Sequence, residues 1–148
     1  MRPRHIIGHA CLTGILIFAA AASSAAPKKP GGEDPLERAS ERFVKAGYQF
    51  REDFWKSTLE RKTGRGVRMQ LFKGHEYVFI LAASDKKARF RLRVADRDGK
   101  VAELGIDDTT GIPAYRFVPE RTGMHIILIL LEKSGKRNVE CAMLCGYR

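Results

Sequence analysis

The chain has 148 residues, with 27 Lys and Arg against 17 Asp and Glu, a formal charge of +10 and only three Cys and one Trp. That length suits one domain and is too short for two. A hydrophobic share of 44% beside 30% charged residues excludes collagenous, disordered and multi-span membrane classes.

Met1 to His5 carries Arg2 and Arg4, Ile6 to Ala22 is apolar apart from His9 and Thr13, and a small-residue run extends to Ala26. This is the order of a secretory signal peptide: a basic start, an apolar stretch, then a cleavage site. The small-x-small cut falls at Ser23-Ser24-Ala25, since cutting one residue later would leave Pro27 directly after the scissile bond. Residues 1–25 are therefore expected to be removed, which places the exported chain in the periplasm or outside the cell. The alternative, an uncleaved anchor, has to work with an apolar stretch of about 17 residues, the lower limit for a span. Cys11 follows Gly8-His9-Ala10, without the branched apolar residue that a lipid-attachment signal places three before its Cys. Removing residues 1–25 takes away two basic and no acidic residues, leaving 25 against 17, or +8. The basic balance belongs to the exported part.

Residues 26–33, with Pro27-Lys28-Lys29-Pro30-Gly31-Gly32 at their centre, read as a flexible linker. Asp34-Pro35 is an N-cap followed by Pro at the first helical position, and Leu36, Ala39, Phe43 and Ala46 recur at helical spacing. One amphipathic helix is expected from Pro35 to Ala46, ended by Gly47. Beyond it the pattern becomes strand-like, with turn signals every eight to twelve residues. Phe54 to Leu59 is a strand and Lys62 to Gly66 a turn. Val67, Met69 and Leu71 alternate with Arg68 and Gln70, and Lys73-Gly74 turns into Glu76 to Ala83. Phe90, Leu92 and Val94 alternate with Arg89, Arg91 and Arg93. Asp96-Arg97-Asp98-Gly99 is a hairpin turn, answered by Val101 to Leu104. A long loop from Gly105 to Pro113 precedes strands at Tyr115 to Val118, Met124 to Leu131 and Val139 to Tyr147.

About eight short strands after one helix, without βαβ spacing, predict an all-β fold over residues 34–148: an antiparallel β-sandwich of jelly-roll or immunoglobulin-like type with one N-terminal amphipathic helix. Tyr77 to Ala83 and Ile126 to Leu131 are apolar at consecutive positions, so both faces of each strand need cover. The helix is the expected lid for the face that the opposite sheet leaves open, and a protein partner is the alternative.

The succession Leu71 to Phe79, Phe90 to Lys100 and Tyr115 to Ile126 contains an apolar-glycine-tyrosine strand entry, a D-x-D-G hairpin and a Phe-x-Pro…Thr-Gly strand pair. It resembles the bacterial pre-peptidase C-terminal (PPC-like) domain over about residues 67–147. The resemblance implies a small exported β-sandwich that acts as an accessory binding or secretion-associated module. Where that family often carries acidic residues before the hairpin, this chain has Arg89, Arg91 and Arg93.

Those arginines share one strand face at a spacing of roughly 7 Å, and three fixed guanidiniums suit phosphate, sulfate or carboxylate. They are the candidate ligand-binding residues; the competing reading is a solvated outer face with Arg stems lying on apolar neighbours. Without interleaved aromatics, nucleic acid is not an expected partner. Asp96, Asp98, Asp107 and Asp108 lack EF-hand spacing and read as turn and loop residues. His75 and His125 lie in separate segments without the companions of a zinc site. Ser57, Ser84 and Ser134 lack a G-x-S-x-G setting, and Lys62-Thr63-Gly64 lacks an S-x-x-K partner. No catalytic residue, metal or cofactor is assigned. Cys141 and Cys145 are a candidate disulfide only if their segment is helical, because four extended residues span roughly 13 Å. Val139, Cys141, Met143, Cys145 and Tyr147 alternate with Glu140, Ala142, Leu144, Gly146 and Arg148, which favours a strand with both thiols in the core; a bridged pair in an irregular terminus and intermolecular bonds are the remaining options. The expected protein is an exported, non-catalytic binding module without a membrane span after cleavage. Its partner is an envelope protein or an acidic glycan, and a role as a structural subunit of an envelope assembly is the other alternative.

Overall fold

A computed structural model describes residues 34–109 and 111–148. The signal-peptide and linker readings, residues 1–25 and 26–33, lie outside the described residues. The described residues fold as one helix and ten strands: α1 (Pro35–Lys45), β1 (Gln49–Phe50), β2 (Trp55–Glu60), β3 (Gly64–Leu71), β4 (Tyr77–Ala83), β5 (Arg89–Ala95), β6 (Val101–Glu103), β7 (Gly105–Asp107), β8 (Ala114–Phe117), β9 (Gly123–Lys133) and β10 (Asn138–Tyr147).

The strands form two antiparallel sheets. In the first, β10 pairs with β2 along Asn138–Met143 and with β1 at Gly146 and Tyr147, and β4, β8 and β7 follow on its other side. The second has the order β3-β9-β5-β6. The core between them comes from the alternate inward residues: Tyr77, Phe79, Leu81, Tyr115, Cys141, Met143 and Cys145 from one sheet, and Phe90, Leu92, Val94, Ile127, Ile129 and Leu131 from the other. This is the expected all-β sandwich.

Helix α1 begins where its sequence signals lie. The Asp34 carboxylate accepts from the Leu36 N–H at 3.0 Å and Pro35 takes the first helical position. Gly47 follows the helix with φ +88°, a left-handed conformation that glycine adopts without steric cost. Leu36, Ala39 and Phe43 face the outer side of the first sheet, where they bury Val78, Ile80 and Ala114. That second layer explains the continuous apolar run of β4, whose residues 77–81 are all buried. Full burial of a side chain such as Phe43 stabilises by about 2 kcal/mol. Polar contacts fix the end of the helix. Arg42 reaches Asp107 at 3.1 Å and Thr109, Arg148 donates to the Ala46 carbonyl at 3.2 Å and pairs with Glu76 at 2.7 Å, and its guanidinium lies 4.8 Å from the Tyr48 ring.

The structure departs from the expectation in several places. The Lys62–Gly66 turn is shorter: Gly64 and Gly66 are already strand residues of β3, opposite Leu130 and Leu128. The loop Gly105–Pro113 contains β7, and Gln49–Phe50 adds a short strand because the Phe50 ring packs on Gly146. The helix covers β4 but not β9, which lies in the other sheet. The outward residues of β9 have no such cover among the described residues: Met124 and Leu128 are 48% and 36% exposed.

Candidate functional site

The outer face of the second sheet is built from two strand alternations. In β9, His125, Ile127, Ile129 and Leu131 point inward and are buried, which turns Met124, Ile126, Leu128 and Leu130 outward as an apolar ridge. In β5, buried Phe90, Leu92 and Val94 turn Arg89, Arg91 and Arg93 outward beside that ridge. Register places Arg91 opposite Leu130 and Arg93 opposite Leu128. The three arginines thus lie on one face, with apolar neighbours for their stems.

Two of them already hold carboxylates. Arg93 donates through Nε and Nη2 to Glu103 of β6 at 3.1 and 2.8 Å, and Arg91 Nη2 lies 2.7 Å from Glu132 of β9. Arg89 Nη1 donates to the Ala88 carbonyl at 3.0 Å. Glu132, two residues on from Leu130, lies on this face by the alternation of β9, diagonal to Arg91 across the strand pair. These exposed pairs contribute little stability, but they orient the guanidiniums over the ridge. The Arg93–Glu103 contact is readable by counting back from the Asp96–Gly99 hairpin; the Arg91–Glu132 contact depends on the pairing of β5 with β9, strands distant in sequence whose register no local signal marks.

On the other side of the ridge, β3 contributes Gly64, Gly66, Arg68 and Gln70. A Cβ on Gly66 would lie 3.0 Å from the Ile126 side chain and 3.6 Å from that of Leu128, so the glycine leaves room for the ridge to lean toward the edge strand. A shallow cavity of about 210 Å³ lies there, bordered by Gly64, Arg91, Arg93, Leu128 and Leu130.

The remaining candidates lie elsewhere. Asp96 organises the hairpin turn, accepting from the N–H groups of Asp98 and Lys100 at 2.9 Å each. These hydrogen bonds, the Lys100 one foremost, hold its carboxyl below the ordinary range. Asp107 pairs with Arg42 at the helix. His75 lies in an aromatic group, its ring 5.6 Å from that of Tyr147 and 6.3 Å from that of Tyr77. His125 is an inward, buried residue, and its Nδ1–H donates to the Gly123 carbonyl at 2.9 Å. It lines a cavity of about 290 Å³ at one end of the sandwich, beside the Lys100–Glu120 and Arg121–Asp98 ion pairs. A wider groove of about 760 Å³ runs beside α1, over Ala82, Ala142 and Leu144 and against Phe50 and Phe54. Among the described residues, no three His, Cys, Asp or Glu side chains converge as a metal site, and no helix is long and apolar enough to cross a membrane.

Cys141 and Cys145 lie on the inward face of β10 with Met143 between them, both buried free thiols. Burial pushes their pKa values up to about 11 and about 12, the opposite of an activated nucleophile.

No family model matches the chain, and no curated protein matches it. Among solved structures it is similar to a periplasmic lysozyme inhibitor of g-type lysozyme from Aeromonas hydrophila. The TM-score is 0.50 at 12% sequence identity, over 65% of this chain and 85% of that one. At that identity the likeness is one of fold.

Proposed function

We propose that this protein is an exported, non-catalytic module that binds another protein through the outer face of its second sheet. The observation that carries the reading is the ridge of Met124, Ile126, Leu128 and Leu130. On the first sheet α1 covers Val78, Ile80 and Ala114 of the outer apolar face, whereas among the described residues no helix covers this one. An exposed apolar strip rimmed by polar groups is the form of an interaction surface. The N-terminal sequence pattern supports export, and the similar fold of an inhibitor that acts on another protein supports a protein as partner. The PPC-like strand order agrees with an accessory module. The described residues carry 23 Lys and Arg against 16 Asp and Glu, so charge complementarity favours an acidic partner.

The second reading, an acidic glycan or other polyanion on Arg89, Arg91 and Arg93, is favoured by their common face. The carboxylates already held by Arg91 and Arg93 weigh toward a protein, because an apolar ridge between paired arginines offers more to side chains than to a sugar acid.

The test is capture from an envelope extract at low and high salt, using the wild type and Leu128→Asp. A protein retained at both salts and lost with Leu128→Asp is the expected result. Retention of glycans alone, released as salt screens charges beyond roughly 10 Å at 0.1 M, would support the second reading instead. A lytic assay with g-type lysozyme then shows whether the inhibitor's partner class extends to this chain.

A further inference from the structure

The second sheet ends in an open strand whose chemistry specifies what can pair with it. The Leu131 N–H donates to the Thr63 carbonyl at 3.0 Å, in the same register that aligns Gly64 with Leu130. In an antiparallel ladder this parity assigns the backbone groups of residues 65, 67, 69 and 71 to β9, and aims those of Gly64, Gly66, Arg68 and Gln70 away from it. The far side of the sheet agrees: Leu104 N–H donates to the Leu92 carbonyl at 3.4 Å, so alternate residues of β5 serve β6 and β9. Strand β3 runs eight residues without proline or register shift, and among the described residues no strand pairs with its outer edge. Such an edge is a template for an added strand unless it is blunted.

Side chains on the outer face complete the template. At Gly64 and Gly66 nothing stands between the edge and the ridge of Leu128 and Leu130, so a residue added opposite either glycine reaches across bare backbone to apolar side chains. That is the arrangement in which a large cross-strand residue covers a strand glycine. Arg68 on this face and Arg65 on the opposite one are exposed, and no carboxylate among the described residues pairs with them. Two copies joined edge to edge would bring these arginines together, and like charges across strands destabilise. Charge therefore selects a different, acidic chain.

We propose that β3 accepts an extended segment of an acidic partner protein as an added strand, with apolar residues opposite Gly64 and Gly66 and carboxylates opposite Arg68 and Arg65. The inference rests on the reading of the second sheet as a protein-binding surface and names how the partner attaches: by main-chain hydrogen bonds for affinity and alternate side chains for choice.

The probe is the acetylated and amidated peptide Thr-Thr-Glu-Thr-Ile-Glu-Phe, which in antiparallel register sets Phe against Gly64, Ile against Gly66 and Glu against Arg68 and Arg65. Its control has Lys in place of both Glu. Titration of the protein to about 1 mM peptide, a range that reaches weak complexes, is read by anisotropy and by amide hydrogen exchange. Saturable binding is expected, at least about tenfold weaker for the control and for Arg68→Glu. The N–H groups of Gly66, Arg68 and Gln70 become protected while those of Val67 and Met69, already bonded to β9, change little. Arg68→Pro, which removes an edge donor without breaking the β9 ladder, abolishes binding; circular dichroism confirms that the variant is folded. No binding, equal binding of the control, or binding without protection of those three amides overturns strand addition. If Leu128→Asp still releases the captured partner in that case, the face reading stands and only the edge is lost; if it does not, both fall. A concentration-dependent dimer that Arg68→Glu strengthens or leaves intact would place a second copy at the edge and overturn the acidic-partner assignment.

Discussion

The hydroxyl of Tyr115 in β8 crosses the core and donates to the Phe90 carbonyl of β5 at 2.9 Å, a buried hydrogen bond that joins the two sheets. Both groups lie where water does not reach, and burial pushes the Tyr115 hydroxyl well above its ordinary pKa, so it remains a donor at every physiological pH. Tyr115→Phe leaves the carbonyl unpaired in an apolar setting. The expected cost is about 1–3 kcal/mol, which for a domain of this size lowers the melting temperature by roughly 4 °C per kcal/mol. Denaturant unfolding should show a lower midpoint with an unchanged slope. An unchanged midpoint would mean that the bond contributes nothing net.

Glu76 gives the helix attachment a pH dependence. Burial raises its carboxyl pKa, but the hydrogen bonds from Arg148 and the charges of Arg148 and Arg116 outweigh burial and hold it below the ordinary value of 4.5. A carboxyl lowered by folding contributes stability above its unfolded pKa and loses it as pH falls through the folded one. The melting temperature should therefore fall on acidification below about pH 5. Glu76→Gln should cost about 1 kcal/mol at pH 7 and flatten that fall. An equally steep acid dependence in the variant would assign it to other carboxylates, of which Asp107 at Arg42 is the first.

Much of this fold is legible because burial in it follows alternation. The Asp34-Pro35 start, the β4 run and the Asp96–Gly99 hairpin each declare themselves through local chemistry, and each lies where that chemistry places it. The continuous β4 and β9 runs make the same statement in sequence, that both faces are apolar, yet only β4 receives the helix. Which sheet a strand joins depends on long-range pairing that one-dimensional periodicity does not encode. Gly64 and Gly66 read as turn residues for the same reason: a glycine that turns the chain and one that makes room for Ile126 are identical until the neighbouring strand is known. The arginine face is legible from spacing alone, whereas its Glu132 partner requires the long-range β5–β9 register.

Cys141 and Cys145 should be silent in the folded protein. Among the described residues these are the only two cysteines, and both are held as thiols far above neutral pH by burial, with pKa values pushed up to about 11 and about 12. A thiol-specific chromogenic reagent at pH 8 should label neither natively. It should label both after denaturation without reductant, because two residues four apart on one strand lie roughly 13 Å apart, beyond the span of a disulfide. Labelling that appears only with reductant would establish a bridge and require an irregular C-terminal segment. In native conditions, slow labelling should track global unfolding, since the thiols are in the central core strand.

The two glycines of β3 should respond differently to the same small change. A Cβ on Gly66 would meet the end of the Ile126 side chain at 3.0 Å, a contact that a methyl-sized adjustment relieves. On Gly64 it would meet the Ile129 backbone carbonyl at 2.9 Å, and that oxygen belongs to the strand at the centre of the sheet. Side chains yield where backbone does not. Gly66→Ala should therefore lie within about 0.5 kcal/mol of the wild type, the restricted unfolded chain offsetting the crowding. Gly64→Ala should destabilise by about 1–2 kcal/mol. Urea midpoints of the two variants decide the order, and the reverse order would show that the β3–β9 edge relaxes around position 64 more easily than its ladder implies. If strand addition is correct, Gly66→Ala should also narrow the passage from the edge to Leu128 and weaken the acidic peptide by a few-fold, while leaving the fold's stability almost unchanged.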